Sequence, residues 1–429
     1  MSFAMVMSNE DKNLCQRVVM MKHFVIAALL CLGVLDINAQ SMTENALTQE
    51  YLTNLKISGY NKDIMPEGNH GYGSPVGVLC SMYLLDISKV DDVNMDFRGT
   101  FYFRQSWNDS RLAYTDQDIN TIIFNDPLQK IWTPDLFFVQ ERQGIHHNLI
   151  SPNAFILISP EGEVRYSVRV SVTFSCPMDF RKYPHDKQKC TFTVESYGHT
   201  RDKMELNWDR RKHQPIMYNE KIEMLPFELK GVEEKVSHLT FSFGEYTTLE
   251  VSLFFERKVG FYVTRLYIPF IFLVVISWLS FWIPSRMLTV RLSLLLVILY
   301  LMVNIGSGIN DSIPPASYTK GSDVWIAVCE SLVFLAFLEY IAVYILARNT
   351  EKWQKNVCKN DPEARGVLEP DDKMNSVKND LSNSAVMMAS RLKSNILASK
   401  RIDKASAALF PVLFLVFNFV YWIVYCTGH

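Results

Sequence analysis

His146 and His147 stand side by side in the chain, and His199 and His238 follow in the same half. Imidazole changes charge near neutral pH and is a good zinc ligand, so this set is a candidate for sensing protons or binding zinc. A second pattern lies further on. Thr289, Ser293, Tyr300, Asn304 and Ser307 recur at spacings of four, seven, four and three, on one face of a helix otherwise filled mostly by leucine and valine. Polar groups at such a place in an apolar span line water or carry function. No phosphate-binding loop, nucleophile elbow or HExxH pattern occurs, so the chain offers no catalytic residues and reads as something other than an enzyme.

These residues fall in two differently patterned halves. The 429-residue chain is 48% hydrophobic, and its 43 basic and 45 acidic residues nearly cancel, a balance that selects no nucleic-acid partner. Met21-Lys22-His23 followed by an apolar run to Leu35 and then Asn38-Ala39 has the parts of a secretory signal, which makes residues 1–39 a leader. Residues 40–256 read as an all-β domain of short alternating segments, with a short helix expected near 43–54. Val164, Tyr166, Val168, Val170, Val172 and Phe174 alternate with polar residues as a strand with one buried face does. Many such strands imply two packed antiparallel sheets. After Arg257 come apolar runs at about 261–283, 287–306, 324–346 and 408–425, each near the length that crosses a bilayer. Residues 257–347 are thus expected to hold three spans, 348–404 a polar loop ending in a basic amphipathic helix on the cytoplasmic side, and 405–429 the fourth span with a short tail. That order predicts a multi-pass cell-membrane protein in contact with lipid, with both termini outside.

In an exported domain a cysteine pair closes. Cys176 and Cys190 are the near pair, with thirteen residues between them, and a bond closing that loop stabilises by about 3 kcal/mol on a chain-entropy argument. Cys80 is left as a buried thiol.

Cys176-Pro-Met-Asp-Phe-Arg-Lys-Tyr-Pro-His-Asp-Lys-Gln-Lys-Cys190 resembles the signature loop of the Cys-loop receptors. The likeness extends to Trp107-Asn-Asp-Ser-Arg-Leu112, Trp132-Thr-Pro-Asp135, Tyr267-Ile-Pro269 and Phe410-Pro-Val-Leu-Phe-Leu-Val-Phe-Asn418, and covers nearly everything from residue 50 onward. Ser277-Trp-Leu-Ser-Phe-Trp282, Ser317-Tyr-Thr-Lys320 and Lys400-Arg-Ile-Asp-Lys404 are more similar to the glycine and GABA receptor branch, which conducts anions. The resemblance implies a homo- or hetero-pentamer of related subunits, a β-sandwich binding a small ligand between neighbours, and a four-helix membrane domain whose second span lines a chloride path.

By position, the resemblance places Arg104 against a ligand carboxylate and Phe138, Tyr197, Phe241, Phe243 and Tyr246 in or near an aromatic box for a cation. At the inner end of the pore helix the family carries Pro-Ala-Arg; this chain has Pro284-Ser-Arg286, with Arg291 five residues on. A gapless alignment puts Arg291 in the arginine ring that attracts chloride, and a shorter loop puts Arg286 there. The gate is Leu295 or Leu296 in one register and Tyr300 in the other. Coupling to the pore is implied for the loop tip Tyr183-Pro184-His185-Asp186, for Arg257, and for the linker from Pro314 to Lys320. The chain is also similar to insect chloride channels of this family that answer to pH or metals. Two alternatives to a small organic ligand therefore stand: gating by zinc or protons, with zinc as a ligand rather than a cofactor, and a non-conducting partner subunit.

Overall fold

The computed structural model describes residues 51, 59–68, 73–115, 121–124, 131–211, 214–284, 287–311, 313, 315–360 and 383–426, the side chains of 350, 351, 353–360, 383–393, 395, 396 and 426 excepted. The leader, nearly all of the expected helix at 43–54, and Arg286 lie outside these residues.

Among the described residues the first half is built from strands, with one short 3-10 turn at Ser110–Leu112. One sheet is built from β1 (Val76–Asp91), β2 (Asp96–Asn108), β3 (Ile122–Phe124), β5 (Glu141–His146), β6 (Ala154–Ile158), β7 (Glu163–Ser175), β9 (Met204–Trp208) and β10 (Ile216–Tyr218). The other holds β4 (Leu136–Phe138), β8 (Lys187–Ser196), β11 (Phe227–Phe241) and β12 (Gly244–Arg257), in the order β11-β12-β8-β4. The expected alternation in β7 is present: Val164, Tyr166, Val168, Val170, Val172 and Phe174 are all buried. Their faces meet the second sheet in a phenylalanine core, where Phe174 of β7 stacks on Phe192 of β8 with ring centroids 4.2 Å apart. Burial of each such ring contributes about 2 kcal/mol. Cys176, just past β7, is bonded to Cys190 in β8, so the disulfide ties the two sheets together and the loop between them projects from the end of the sandwich. Cys80 is a buried free thiol, as expected.

Four helices follow that are long and apolar enough to cross a membrane: α1 (Gly260–Trp282), α2 (Leu288–Asn310), α3 (Gly321–Asn360, apolar over Gly321–Asn349) and α4 (Asn383–Cys426, apolar over Leu397–Tyr425). The basic amphipathic segment and the fourth span form one continuous helix, α4. Large rings glue the helices: Trp325 of α3 lies 4.9 Å from both Tyr267 of α1 and Tyr421 of α4.

The start of α3 fixes the two halves against each other. A helix begins with backbone N–H groups that have no partner inside it. Here the Cys176–Cys190 loop supplies acceptors: Gly321 N–H donates to the Arg181 carbonyl at 3.0 Å and Ser322 N–H to the Tyr183 carbonyl at 2.9 Å. Such close approach needs glycine, because a Cβ on Gly321 would lie 2.8 Å from the Tyr183 oxygen and 2.9 Å from the Tyr425 ring. Gly321→Ala is therefore expected to push the loop off the helix at a cost of about 1–3 kcal/mol. The check is surface labelling together with a melting curve of the detergent-solubilised protein, in which wild-type behaviour of both would refute the close-contact argument.

Candidate functional site

Three groups of side chains carry chemistry: an aromatic edge and an arginine on different sheets of the β-domain, the unpartnered face of α2, and the junction between the domain and the helices.

The aromatic edge begins with a register detail. Successive side chains of a strand face opposite sides, and in β4 the one that faces inward is Phe138. Its ring lies 5.5 Å from each of Phe101, Phe103 and Phe174, so Phe138 packs partly buried against the core, and it lines with Phe137 and His146 a cavity of about 350 Å³. Its neighbour Phe137 faces outward and meets Tyr197 edge-on at 5.7 Å. Tyr197 is 81% exposed. Asp135, from the Trp132-Thr-Pro-Asp135 motif, holds the Tyr197 turn by accepting from Ser196 Oγ and Gly198 N, each at 2.7 Å. The hairpin between β11 and β12 adds Phe241 and Tyr246, 5.7 Å apart, with Phe243 exposed at the tip. Arg201 fastens this hairpin to the Tyr197 turn through Glu245, by a 3.2 Å ion pair and a backbone bond.

Arg104 lies on the other sheet, on β2, with Ser81 of β1 and Ser167 of β7 as its cross-strand neighbours. It lines a cavity of about 380 Å³ that also holds Arg165 and Arg211. Those two are neutralised by Glu163 and Asp209 at 2.7–3.0 Å. Burial opposes the charge on Glu163, yet hydrogen bonds from Arg165, Arg211 and Ser106 hold its carboxyl down at about 2. Among the described residues Arg104 has no ion pair, which leaves it as the cation of this cavity available to an anion. Arg104 and the aromatic edge do not meet within one chain.

The histidines are scattered. His146 is exposed at the end of β5, and His147 bonds through Nε2 to Ser171 Oγ at 2.8 Å. Burial, helped by nearby Arg169 and Arg98, lowers the His147 pKa. His199 follows the Tyr197 turn, and His238 sits on β11 opposite Thr247. The described residues contain no group of three or more His, Cys, Asp or Glu able to hold a metal ion, so the four histidines do not form one metal set within a subunit.

On α2, Thr289, Ser293, Leu296, Tyr300, Asn304 and Ser307 are exposed, Tyr300 to 68%, while Leu295, Ile298 and Met302 are buried against neighbouring helices. Arg291 does not share the exposed face. It is 0% exposed, paired with Asp403 of α4 at 2.9 Å, bonded to the Ser280 carbonyl of α1, and set 4.9 Å over the Tyr340 ring of α3. Two residues along a helix is a rotation of about 200°, so Arg291 points away from the face that Ser293 occupies. The expected open ring of Arg291 side chains is corrected to a buried interhelical pair. Of the candidate gates, Leu295 is turned inward, and Leu296 and Tyr300 stand on the stripe.

At the junction the structure brings together the residues expected to couple the halves. Arg257, the last residue of β12, has a fully buried side chain that pairs with Asp186 at 2.7 Å and with Asp92 at 2.6 Å. Burial works against this cation, but the two carboxylates raise its pKa further. Phe227 and Tyr183 cover the guanidinium at 4.2 and 4.8 Å. Tyr183 and Pro184 are buried beside it, and Lys320 lies buried at the foot of α3, 3.7 Å from Asp323. His185 and Tyr318 lie within the loop tip and linker expected here, while Asp92 and Tyr267 are partners outside the expected coupling residues. Tyr318 Oη accepts from Phe180 N at 3.0 Å. Asp92 sits in the polar turn between β1 and β2, where an acidic residue is ordinary, and only the tertiary fold marks it. Removing the cation leaves two buried carboxylates face to face, so Arg257→Gln is expected to cost about 3–5 kcal/mol. In a surface-expression assay that loss appears as retained protein, and Asp92→Asn added to it restores part of the signal.

Residues 48–264 match the family model described as the neurotransmitter-gated ion-channel ligand binding domain, and residues 266–391 match that of the neurotransmitter-gated ion-channel transmembrane region. A glutamate-gated chloride channel of Drosophila melanogaster is 32% identical to this chain, the alignment covering 85% of this chain and 88% of the relative.

Proposed function

Since the chain belongs to the neurotransmitter-gated ion-channel family and is a ligand-gated ion channel subunit, not an enzyme, we propose that it forms a chloride-passing pore opened by an extracellular amino acid bound between subunits. The observation that carries this reading is Arg104, a cation without an acidic partner in a cavity whose other arginines are neutralised. A guanidinium fork suits a carboxylate. The rings of Phe137, Tyr197, Phe241 and Tyr246 offer π-faces to an ammonium group. These features stand on different sheets, so a ligand spanning both takes one from each of two adjacent copies. Members of this family are pentamers, and a ring of related subunits supplies such neighbours.

Chloride passage is supported by the relative's character and by α2 itself, which carries no acidic residue from Leu288 to Asn310. Cation-selective pores use rings of carboxylates. In this reading the neutral stripe faces the ion path, while Arg291 contributes its charge from within the bundle, moderated by Asp403. The β-domain and both termini lie outside the cell, and the basic start of α4 lies in the cytoplasm. Tyr300, exposed in the middle of the stripe, favours one second reading: a ring of five such tyrosines narrows the path, as in a subunit that conducts only beside a slimmer partner.

Voltage clamp of cells expressing the chain alone tests both. Glutamate, glycine, GABA, histamine, zinc and acid are applied in turn, and external chloride is then replaced. A reversal potential that follows chloride is expected; one that follows sodium refutes the selectivity, and surface protein without current favours the partner reading. Arg104→Ala is expected to raise the half-activating agonist concentration about 100-fold, the worth of a charge-assisted hydrogen bond of about 2–3 kcal/mol. An unchanged dose response removes Arg104 from the site.

A further inference from the structure

We propose that His185 is a proton-binding site at the junction between the β-domain and the membrane helices, through which external acid acts on gating. The proposal rests on the channel reading above but not on the identity of the agonist.

His185 occupies the tip of the Cys176–Cys190 loop, where its N–H donates to the Lys182 carbonyl at 2.7 Å. Its ring is half-buried between two helices: Nε2 is 3.1 Å from Tyr267 Oη of α1, and the ring meets Trp422 of α4 edge-on at 5.5 Å. The hydrogen bonds continue. Tyr267 Oη is 2.9 Å from Tyr421 Oη, which donates to the Gly321 carbonyl at 3.1 Å. A carbonyl oxygen only accepts, so the Tyr421 proton is committed to Gly321 and the Tyr421 oxygen accepts from Tyr267. Tyr267 Oη thus stands between Tyr421 and the His185 imidazole, where it can accept the N–H of an imidazolium. One chain of hydrogen bonds runs from the loop tip through α1 and α4 to the first residue of α3.

The charges around the ring are largely matched. Asp186 is engaged by Arg257, Asp179 lies 3.8 Å from Arg181, and Lys187 lies 3.8 Å from Glu256. Lys182 and Tyr425 share with His185 the lining of a cavity of about 560 Å³. Tyr267 and Tyr421, facing it from the helices, are neutral hydroxyls. Burial lowers the His185 pKa, and Asp186 opposes this only in part. The packed junction accordingly favours neutral imidazole. Its contribution is complete above the ordinary histidine value of about 6.5 and is lost as pH falls through the lowered one. Acid shifts the gating equilibrium away from the junction as packed here, towards arrangements that leave the ring wetter.

The experiment compares agonist responses at about pH 7.5 and about pH 5.5 in the full-length channel, each variant normalised to its own response at the higher pH. In wild type, acid is expected to move the half-activating concentration about threefold or more, since one unit of pKa difference amounts to a factor of ten. His185→Gln, which cannot take up the proton, is expected to abolish the shift, and His146→Ala with His147→Ala to leave it in place. Tyr267→Phe removes the acceptor that supports the imidazolium and is expected to move the midpoint of the acid response to lower pH. This variant decides the matter if His185→Gln does not reach the surface. An acid shift that persists in His185→Gln, a midpoint unmoved in Tyr267→Phe, or a wild type indifferent to acid overturns the proposal. Chloride reversal at the higher pH is read in the same cells, so failure of the channel reading is seen separately.

Discussion

A cation with no access to water must be held by anions, and Arg257 is held by two that come from different parts of the chain. Asp92 belongs to the turn between β1 and β2, Asp186 to the Cys176–Cys190 loop, and Arg257 itself to the last position before α1. Removing the arginine leaves two carboxylates uncompensated where the effective dielectric is low, and removing either carboxylate strips the guanidinium of two hydrogen bonds. The three segments are therefore bound to move together, and the loop carries with it the acceptors that complete the start of α3. In the proposed reading, ligand contacts on the β-domain reach the helices through this group, which ties the end of the sandwich together.

The membrane half repeats the device at its other end. Arg291 pairs with Asp403 and bonds to the Ser280 carbonyl, so α1, α2 and α4 are joined by one guanidinium. Between the two arginines the bundle is held by large rings and by hydroxyl chains, contacts that can slide or re-pair at less cost than a buried ion pair. Such a distribution, firm at both ends and softer between, suits helices that must shift relative to one another without separating.

Much of this was legible in the residues. The period-two pattern of β7, the four apolar runs and the cysteine spacing marked the sandwich, the spans and the disulfide, because each is a local signal repeated over many positions. The site was legible only in part. Phe137 and Phe138 are adjacent and identical in type, so which of them faces outward and which packs against the core depends on a strand register that composition does not carry. The inward aim of Arg291 was available in principle from its helical angle to Ser293, but an arginine beside a pore helix suggests a lumen-facing charge until Asp403, 112 positions away, is seen beside it. Asp92 was hidden for another reason: its role arises from a partner brought near by the tertiary fold, and nothing in its own turn announces it. His185 stood in the expected coupling loop, and only its partners Tyr267 and Trp422 were out of sight.

The separation of Arg104 from the aromatic edge sets the arithmetic of recognition. With ligand bound between subunits as proposed, each subunit offers two unlike half-sites, one per sheet, and occupancy is counted by contacts between subunits and not by chains. Either half can be lost while the other still serves a neighbour. In a mixed ring, a copy that keeps only its arginine face and a copy that keeps only its ring face complete one another in one order around the circle and not in the reverse. Arrangement, as well as composition, then determines how many ligand molecules such an assembly can take up.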